Sequence, residues 1–127
     1  MAATVNEWNF DMKITVVGLG YVGLSNAVLL AQRNEVIALD IDAQKVDRLN
    51  AHISIIDDED IDRFLCEKQL NLRATINKSE AYADAEYIIV ATPTDYDAKT
   101  NHFDTSSVEA VVNDALNLNP SATVVIK

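Results

Sequence analysis

The sequence predicts an α/β fold, a doubly wound parallel sheet with helices on both faces, and three observations carry that prediction. Apolar, β-branched runs alternate with helical segments from Lys13 onward. Several of those runs, "KITVVG", "EVIALD" and "YIIVAT", are nearly continuous in apolar character, as strands covered on both faces by crossover helices must be. All three glycines of the 127 residues fall within six residues, where the first run gives way to the first helix.

The elements follow in order. A strand is expected over 13–18, a helix from Tyr21 to about Arg33, a strand over 35–40 and a helix from Ala43 to about Asn50. Next come an acidic helix ending near Lys68, a strand over 72–76, a short helix around Glu80 and a strand over 87–92. A polar loop over 93–103 leads to a helix ending at about Leu118, which Asp104, Thr105 or Ser106 can cap and which Pro120 stops. The last strand covers 122–127. Parallel pairing with right-handed crossovers reduces these elements to the doubly wound arrangement. Residues 1–11 have no periodicity and read as a leader or tag-like tail, with residues 12–127 as one domain. The final apolar "TVVIK" would form an uncovered sheet edge, so the fold is expected to be truncated after about the fifth strand, as part of a longer chain. That edge also suggests pairing of copies, and a homo-oligomer is the expected state.

Composition narrows the function. A formal net charge of −10, with the ten basic residues scattered, argues against nucleic acid as a partner. No run approaches the ~20 apolar residues of a membrane span. Neither a secretory signal nor a pair of cysteines is present, so a soluble protein of the reducing cytoplasm is expected. The acidic stretch "DDEDID" at 57–62 lacks the glycine and spacing of a calcium loop and fits a helix start, where its carboxylates meet the positive end of the helix dipole. His52 and His102 have no partner at metal-ligand spacing and read as solvent-facing or packed residues, so no metal site is expected. Cys66, among apolar neighbours on the acidic helix, reads as a core cysteine.

The glycines carry the chemistry. Gly18, Gly20 and Gly23 form G-x-G-x-x-G between a strand and a helix, the context of a dinucleotide site. Gly18 permits the turn out of the strand, Gly20 leaves room for a diphosphate to approach the backbone, and Gly23 lets the helix pack against the strand. Free N–H groups near Tyr21 and Val22 would meet the anion, so an acidic protein can bind a diphosphate through its backbone. Asp40 closes the second strand 22 residues after Gly18, where an acid accepts hydrogen bonds from a ribose 2′-hydroxyl and repels a 2′-phosphate. NAD is therefore favoured over NADP, although Lys45 and Arg48 lie near. Asp42 reads as the cap of the next helix. Thr92 and Thr94 end a strand across the switch point, where their hydroxyls could bond the middle or nicotinamide end of the cofactor; Thr-Pro-Thr could also be a simple strand terminator.

The stretches "MKITVVGLGYVGLSNAVLLAQRNEVIALDID", "KVDRLN", "ATPTDYDAKTNHFDTSSVE" and "VVIK" resemble, in order, the amino-terminal part of the bacterial UDP-glucose 6-dehydrogenases, within the UDP-glucose/GDP-mannose dehydrogenase family. The resemblance implies a Rossmann-like NAD-binding fold and an enzyme that oxidises UDP-glucose to UDP-glucuronate with two NAD and water. By family position, Tyr21 and Val22 would meet the pyrophosphate, Asp40 and Lys45 the adenosine ribose, and Thr94, with Thr92 nearby, the cofactor further along. The family's catalytic cysteine, lysine, asparagine and acids lie downstream of Lys127, and Cys66 does not match the nucleophile motif. UDP-glucose would thus be a partner only with the downstream part present. Two other readings stand beside this one: a non-catalytic NAD-binding regulatory module of a potassium-transport system, and a dehydrogenase of another UDP-sugar. Against the module, "RATINKSEA" occupies the place where such domains carry Gly-Asp-Ala-Thr.

Overall fold

The computed structural model describes residues 12–56, 58–67, 70–92, 95–97, 102–104 and 106–127; the predicted leader lies outside them. The chain forms β1 (Lys13–Val17), α1 (Tyr21–Leu30), β2 (Glu35–Leu39), α2 (Ala43–Asn50), α3 (Glu59–Glu67), β3 (Leu72–Thr75), α4 (Lys78–Tyr82), β4 (Tyr87–Val90), β5 (Asp95–Asp97), β6 (His102–Asp104), α5 (Ser106–Leu118) and β7 (Thr123–Ile126). Five strands make one parallel sheet in the order β3-β2-β1-β4-β7. The chain winds outward from β1 through β2 to β3, then returns to the other side of β1 for β4 and β7. This reversal puts the switch point between β1 and β4, where Val17 aligns with Val90. No helix among the described residues is long and apolar enough to cross a membrane.

Alternation along the strands sends side chains to two cores. Ile14, Val16, Val36 and Ala38 pack with α1, α2 and α3 through Ala27, Val28, Leu49, Ile61 and Leu65. Val17, Leu39, Ile88 and Val90 pack on the opposite face with Tyr82 of α4 and Val108 and Ala115 of α5. Both faces of the central strands are therefore dry, which accounts for their apolar runs. Thr15 is buried in β1 because its hydroxyl donates to the Ala81 carbonyl of α4.

Side-chain caps set the helix starts. Asp42 Oδ1 accepts from the backbone N–H of Gln44 at 2.9 Å and of Lys45 at 3.4 Å, as its reading as a cap requires. Asp58 does the same for Asp60 and Ile61 ahead of α3, and Asn77 for Glu80 in α4. Helix α2 ends with His52 at φ 61°, its N–H bonded to the Leu49 carbonyl while the Ile53 N–H reaches the Arg48 carbonyl. That is a Schellman closure with histidine in the left-handed position usually held by glycine.

Three expectations are corrected. Helix α1 ends at Leu30 rather than near Arg33: the chain passes into a turn in which the Leu30 carbonyl accepts from the Arg33 N–H, three residues on, and from the backbone N–H and side-chain Nδ2 of Asn34. The loop expected over 93–103 contains an antiparallel ladder, β5 on β6, pairing Tyr96 with Phe103. Cys66 is exposed instead of being in the core: α3 buries Ile61 and Leu65, and the next residue is rotated about 100° off that stripe. Helix α5 starts at Ser106; Thr105 lies outside the described residues. Its other end is closed by Asn119, whose Nδ2 donates to the carbonyls of Tyr82 at 2.7 Å and Ala85 at 2.8 Å. Among the described residues strand β7 pairs only with β4, and Ile126 is exposed at that edge of the sheet.

Candidate dinucleotide site

The three glycines sit at the carboxyl end of β1, and each meets a different constraint. Gly18 has φ +98°, and a Cβ there would lie 2.9 Å from the Ala91 carbonyl oxygen and 3.1 Å from the Thr92 nitrogen. The turn thus needs a left-handed residue and presses against the end of β4. At Gly23, a Cβ would fall 1.7 Å from the Gly18 carbonyl oxygen, so only glycine lets α1 sit this close to β1. Gly20 differs. It has φ −79°, a conformation open to any residue, and a Cβ would meet nothing within 4 Å. Nothing among the described residues calls for glycine at this position, and its bare backbone leaves room for a ligand to approach.

Gly20 is also the N-cap of α1, and it has no side chain to cap the helix. The first intrahelical bond is Leu24 N–H to the Gly20 carbonyl, so the N–H groups of Tyr21, Val22 and Gly23 have no partner within the helix. The first turn carries no acidic residue. An uncapped helix start with open space before it is a site for an anion, the dipole and the free donors acting together. The side chains of Tyr21 and Val22 project into solvent beside it, 59% and 50% exposed.

Two further groups converge on this end of the sheet. Thr92, directly after β4 and against Gly18, has a buried hydroxyl oxygen with no hydrogen-bond partner among the described residues. An orphaned buried hydroxyl here fits a polar ligand at the switch point. Asp40, directly after β2, is half-buried, and both its oxygens accept backbone N–H groups: Oδ2 from Leu19 and Oδ1 from Asp42, each at 2.8 Å. Ile41 is held outward between Asp40 and Asp42 and is 95% exposed.

Gly18, Gly20, Tyr21, Val22, Gly23, Asp40 and Thr92 therefore stand together where three strands end. Lys45 is one turn into α2, half-buried, and makes no ion pair among the described residues. Arg48 faces elsewhere, its Nη2 donating to the Ser54 carbonyl at 3.0 Å. Thr94 lies outside the described residues. Sequence reasoning missed the Asp40–Leu19 bond. The Asp40–Asp42 turn left a signal in "DID", since an aspartate often accepts the N–H two residues on. A groove of about 390 Å³ on the α4 face is lined by Lys13, Glu35, Arg73, Glu80 and Asp84, among which Lys13 pairs with Glu35 and Arg73 with Glu80.

The geometry fits a dinucleotide: an anion-binding helix start, an acid at the end of the next strand and an unpartnered hydroxyl across the switch point. Comparison with known proteins agrees. Residues 12–127 match the UDP-glucose/GDP-mannose dehydrogenase family, NAD binding domain. The chain is 51% identical over 116 residues to a UDP-glucose 6-dehydrogenase of Streptococcus pneumoniae, covering 91% of the chain and 29% of that protein. It is 48% identical over 118 residues to the UDP-glucose 6-dehydrogenase of Campylobacter jejuni, covering 91% of the chain and 30% of that protein. Among solved structures, a ternary complex of GDP-mannose dehydrogenase from Pseudomonas aeruginosa superposes with a TM-score of 0.79 at 27% identity, over 91% of this chain and 28% of that one. The chain thus spans less than a third of the length of these relatives. It belongs to the UDP-glucose/GDP-mannose dehydrogenase family, and residues 12–127 correspond to that family's NAD-binding domain.

Proposed function

We propose that this chain is the NAD-binding portion of a UDP-glucose 6-dehydrogenase acting in the cytoplasm, in the supply of UDP-glucuronate for polysaccharide synthesis. The observation that carries the reading is Gly20, whose glycine is demanded by nothing among the described residues and which stands at an uncapped helix start. In this reading the N–H groups of Tyr21 and Val22 hold the diphosphate. Asp40 takes the adenosine ribose with Lys45 beside it, and Thr92 and Thr94 hold the cofactor further along. NAD, when bound, supplies the acceptor for hydride from the C6 alcohol of the sugar. The residues that bind UDP-glucose and perform the chemistry belong to the family's downstream part, so the chain by itself orients the cofactor and oxidises nothing.

The likeness to a GDP-mannose dehydrogenase keeps another nucleotide-sugar as a second reading of the substrate, since in this reading the site's residues serve the cofactor and not the sugar. No observation favours the potassium-transport module. The test is calorimetric titration of NAD and NADP into the folded chain, with UDP-glucose turnover measured alongside. Binding of NAD in clear preference to NADP, without NADH formation, is expected. Absence of NAD binding, or equal affinity for NADP, would refute the proposal for the site; NADH produced from UDP-glucose would refute it for the missing chemistry.

A further inference from the structure

Reading Asp40 as a ribose ligand leaves half of its geometry unused. Its Oδ2 accepts the Leu19 N–H and its Oδ1 the Asp42 N–H, so one carboxylate ties the loop after β1 to the loop after β2. Leu19 lies between Gly18 and Gly20, immediately before the helix start that faces the open space. The Gly18 N–H is held in the same way, by the Leu39 carbonyl at 2.8 Å. The glycine loop is thus fastened at two successive N–H groups, both to the end of β2. The second fastening is a side chain.

We propose that Asp40 is a positioning residue for the diphosphate as well as a ligand of the ribose: by accepting the Leu19 N–H it holds the glycine loop so that the donors of Tyr21 and Val22 converge before any ligand arrives. The inference rests on the dinucleotide reading of the site. The two roles are compatible. A carboxylate offers about four acceptor positions, and Leu19 and Asp42 occupy two, leaving two for hydroxyl groups. Charge-assisted bonds to backbone N–H groups are also among the stronger of their kind, so the loop and the acid move as one unit. Electrostatics sharpens the distinction. A negative charge near a diphosphate opposes it, and removing that charge alone would tighten binding of any diphosphate. Weaker binding of a ligand without ribose hydroxyls therefore reports the loop.

The experiment titrates the 127-residue chain and its Asp40→Ala and Asp40→Asn variants with two probes. These are NAD and 2′,3′-dideoxyadenosine diphosphate, which keeps adenine and diphosphate but lacks the hydroxyls. Asp40→Ala is expected to weaken the dideoxy probe by about fivefold or more, the effect of losing one hydrogen bond to a charged acceptor. Asp40→Asn, which keeps an oxygen for Leu19, is expected to restore most of that loss. An Asp40→Ala chain that binds the dideoxy probe as tightly as the parent overturns the proposal, as does equal weakening in both variants. Should Asp40→Ala fail to fold, amide exchange of the parent decides: protection of the Leu19 N–H supports the proposal, and exchange at the rate of a free amide overturns it. A parent chain that is folded but binds neither probe overturns the dinucleotide reading itself, an outcome distinct from the others.

Discussion

Replacing Gly23 with alanine would set a methyl carbon 1.7 Å from the Gly18 carbonyl oxygen, where ordinary contact begins at 3.4 Å. The oxygen is backbone and a Cβ is fixed rigidly to its own backbone, so relief requires α1 to move away from β1. Leu24, Ala27 and Val28 on that helix are each at most 1% exposed, and the movement would open the core they fill. Overpacking costs about 1–3 kcal/mol where side chains can yield, and here none can, so a loss of about 3 kcal/mol or more is expected. Against a total stability of about 5–15 kcal/mol this corresponds to a fall in Tm of about 10 °C. The same substitution at Gly20 meets nothing within 4 Å. There the lost N-cap preference of about 0.5–1 kcal/mol is offset by a similar gain from a stiffer unfolded chain, leaving stability within about 0.5 kcal/mol of the parent. Its methyl group would instead stand in the path of the diphosphate and weaken NAD binding about tenfold, on the scale of steric overpacking. Urea unfolding followed by circular dichroism, with calorimetry for NAD, measures both quantities. Equal stability losses at the two positions, or a Gly20→Ala chain that binds NAD like the parent, would refute the division of roles.

Three further outcomes are expected. His52→Gly relieves a left-handed histidine at the end of α2 and should stabilise the fold by about 0.5–1 kcal/mol in urea unfolding; a loss of stability would show that the histidine side chain contributes there. Asn119→Ala strands the carbonyls of Tyr82 and Ala85 and should cost about 2–3 kcal/mol, whereas a change under 0.5 kcal/mol would mean that water replaces the amide. Burial, and secondarily the charge of Asp114, push the Tyr82 phenol from 10.0 up to about 12. The folded chain thus holds that proton more tightly than the unfolded one, so this contribution to stability is complete below pH 10 and is lost as pH rises toward about 12. Tyrosinate absorbance of the folded chain should contain a late step that Tyr82→Phe removes; a titration curve unchanged by Tyr82→Phe above pH 10 would count against it.

What could be read from the sequence was what local pattern encodes. Strands β1, β2 and β4 showed themselves because both their faces are dry, and α2 because Asp42 and the apolar pair Val46 and Leu49 mark its start and its buried side. The glycine motif was legible in the same way, each glycine matching a feature of the loop. The misses arise where a contact decides and pattern does not. Cys66 adjoins Leu65 in sequence but is turned off the stripe that Ile61 and Leu65 share. The β5–β6 ladder is built from "DYD" and "HFD", three-residue strands with one apolar residue each, too short to show a period. The second role of Asp40 depends on Leu19, and that of Asn119 on Tyr82 and Ala85, partners brought near only by the finished fold.

The backing of Gly18 by Ala91 and Thr92 has a consequence in time. The glycine loop is made early, near the start of the domain, yet the wall behind it belongs to the end of β4, whose Tyr87 pairs with Ile14 across 73 residues of chain. A growing chain holds the whole motif, and even Asp40, long before it holds the surface that supports them. Contacts so distant along the chain form slowly and late. Until then α1 can lean on the β1–β2 pair, but the glycine turn has nothing behind it. Cofactor recognition is therefore expected to emerge in one step as β4 docks, and chains cut before Thr92 should carry the motif without the site.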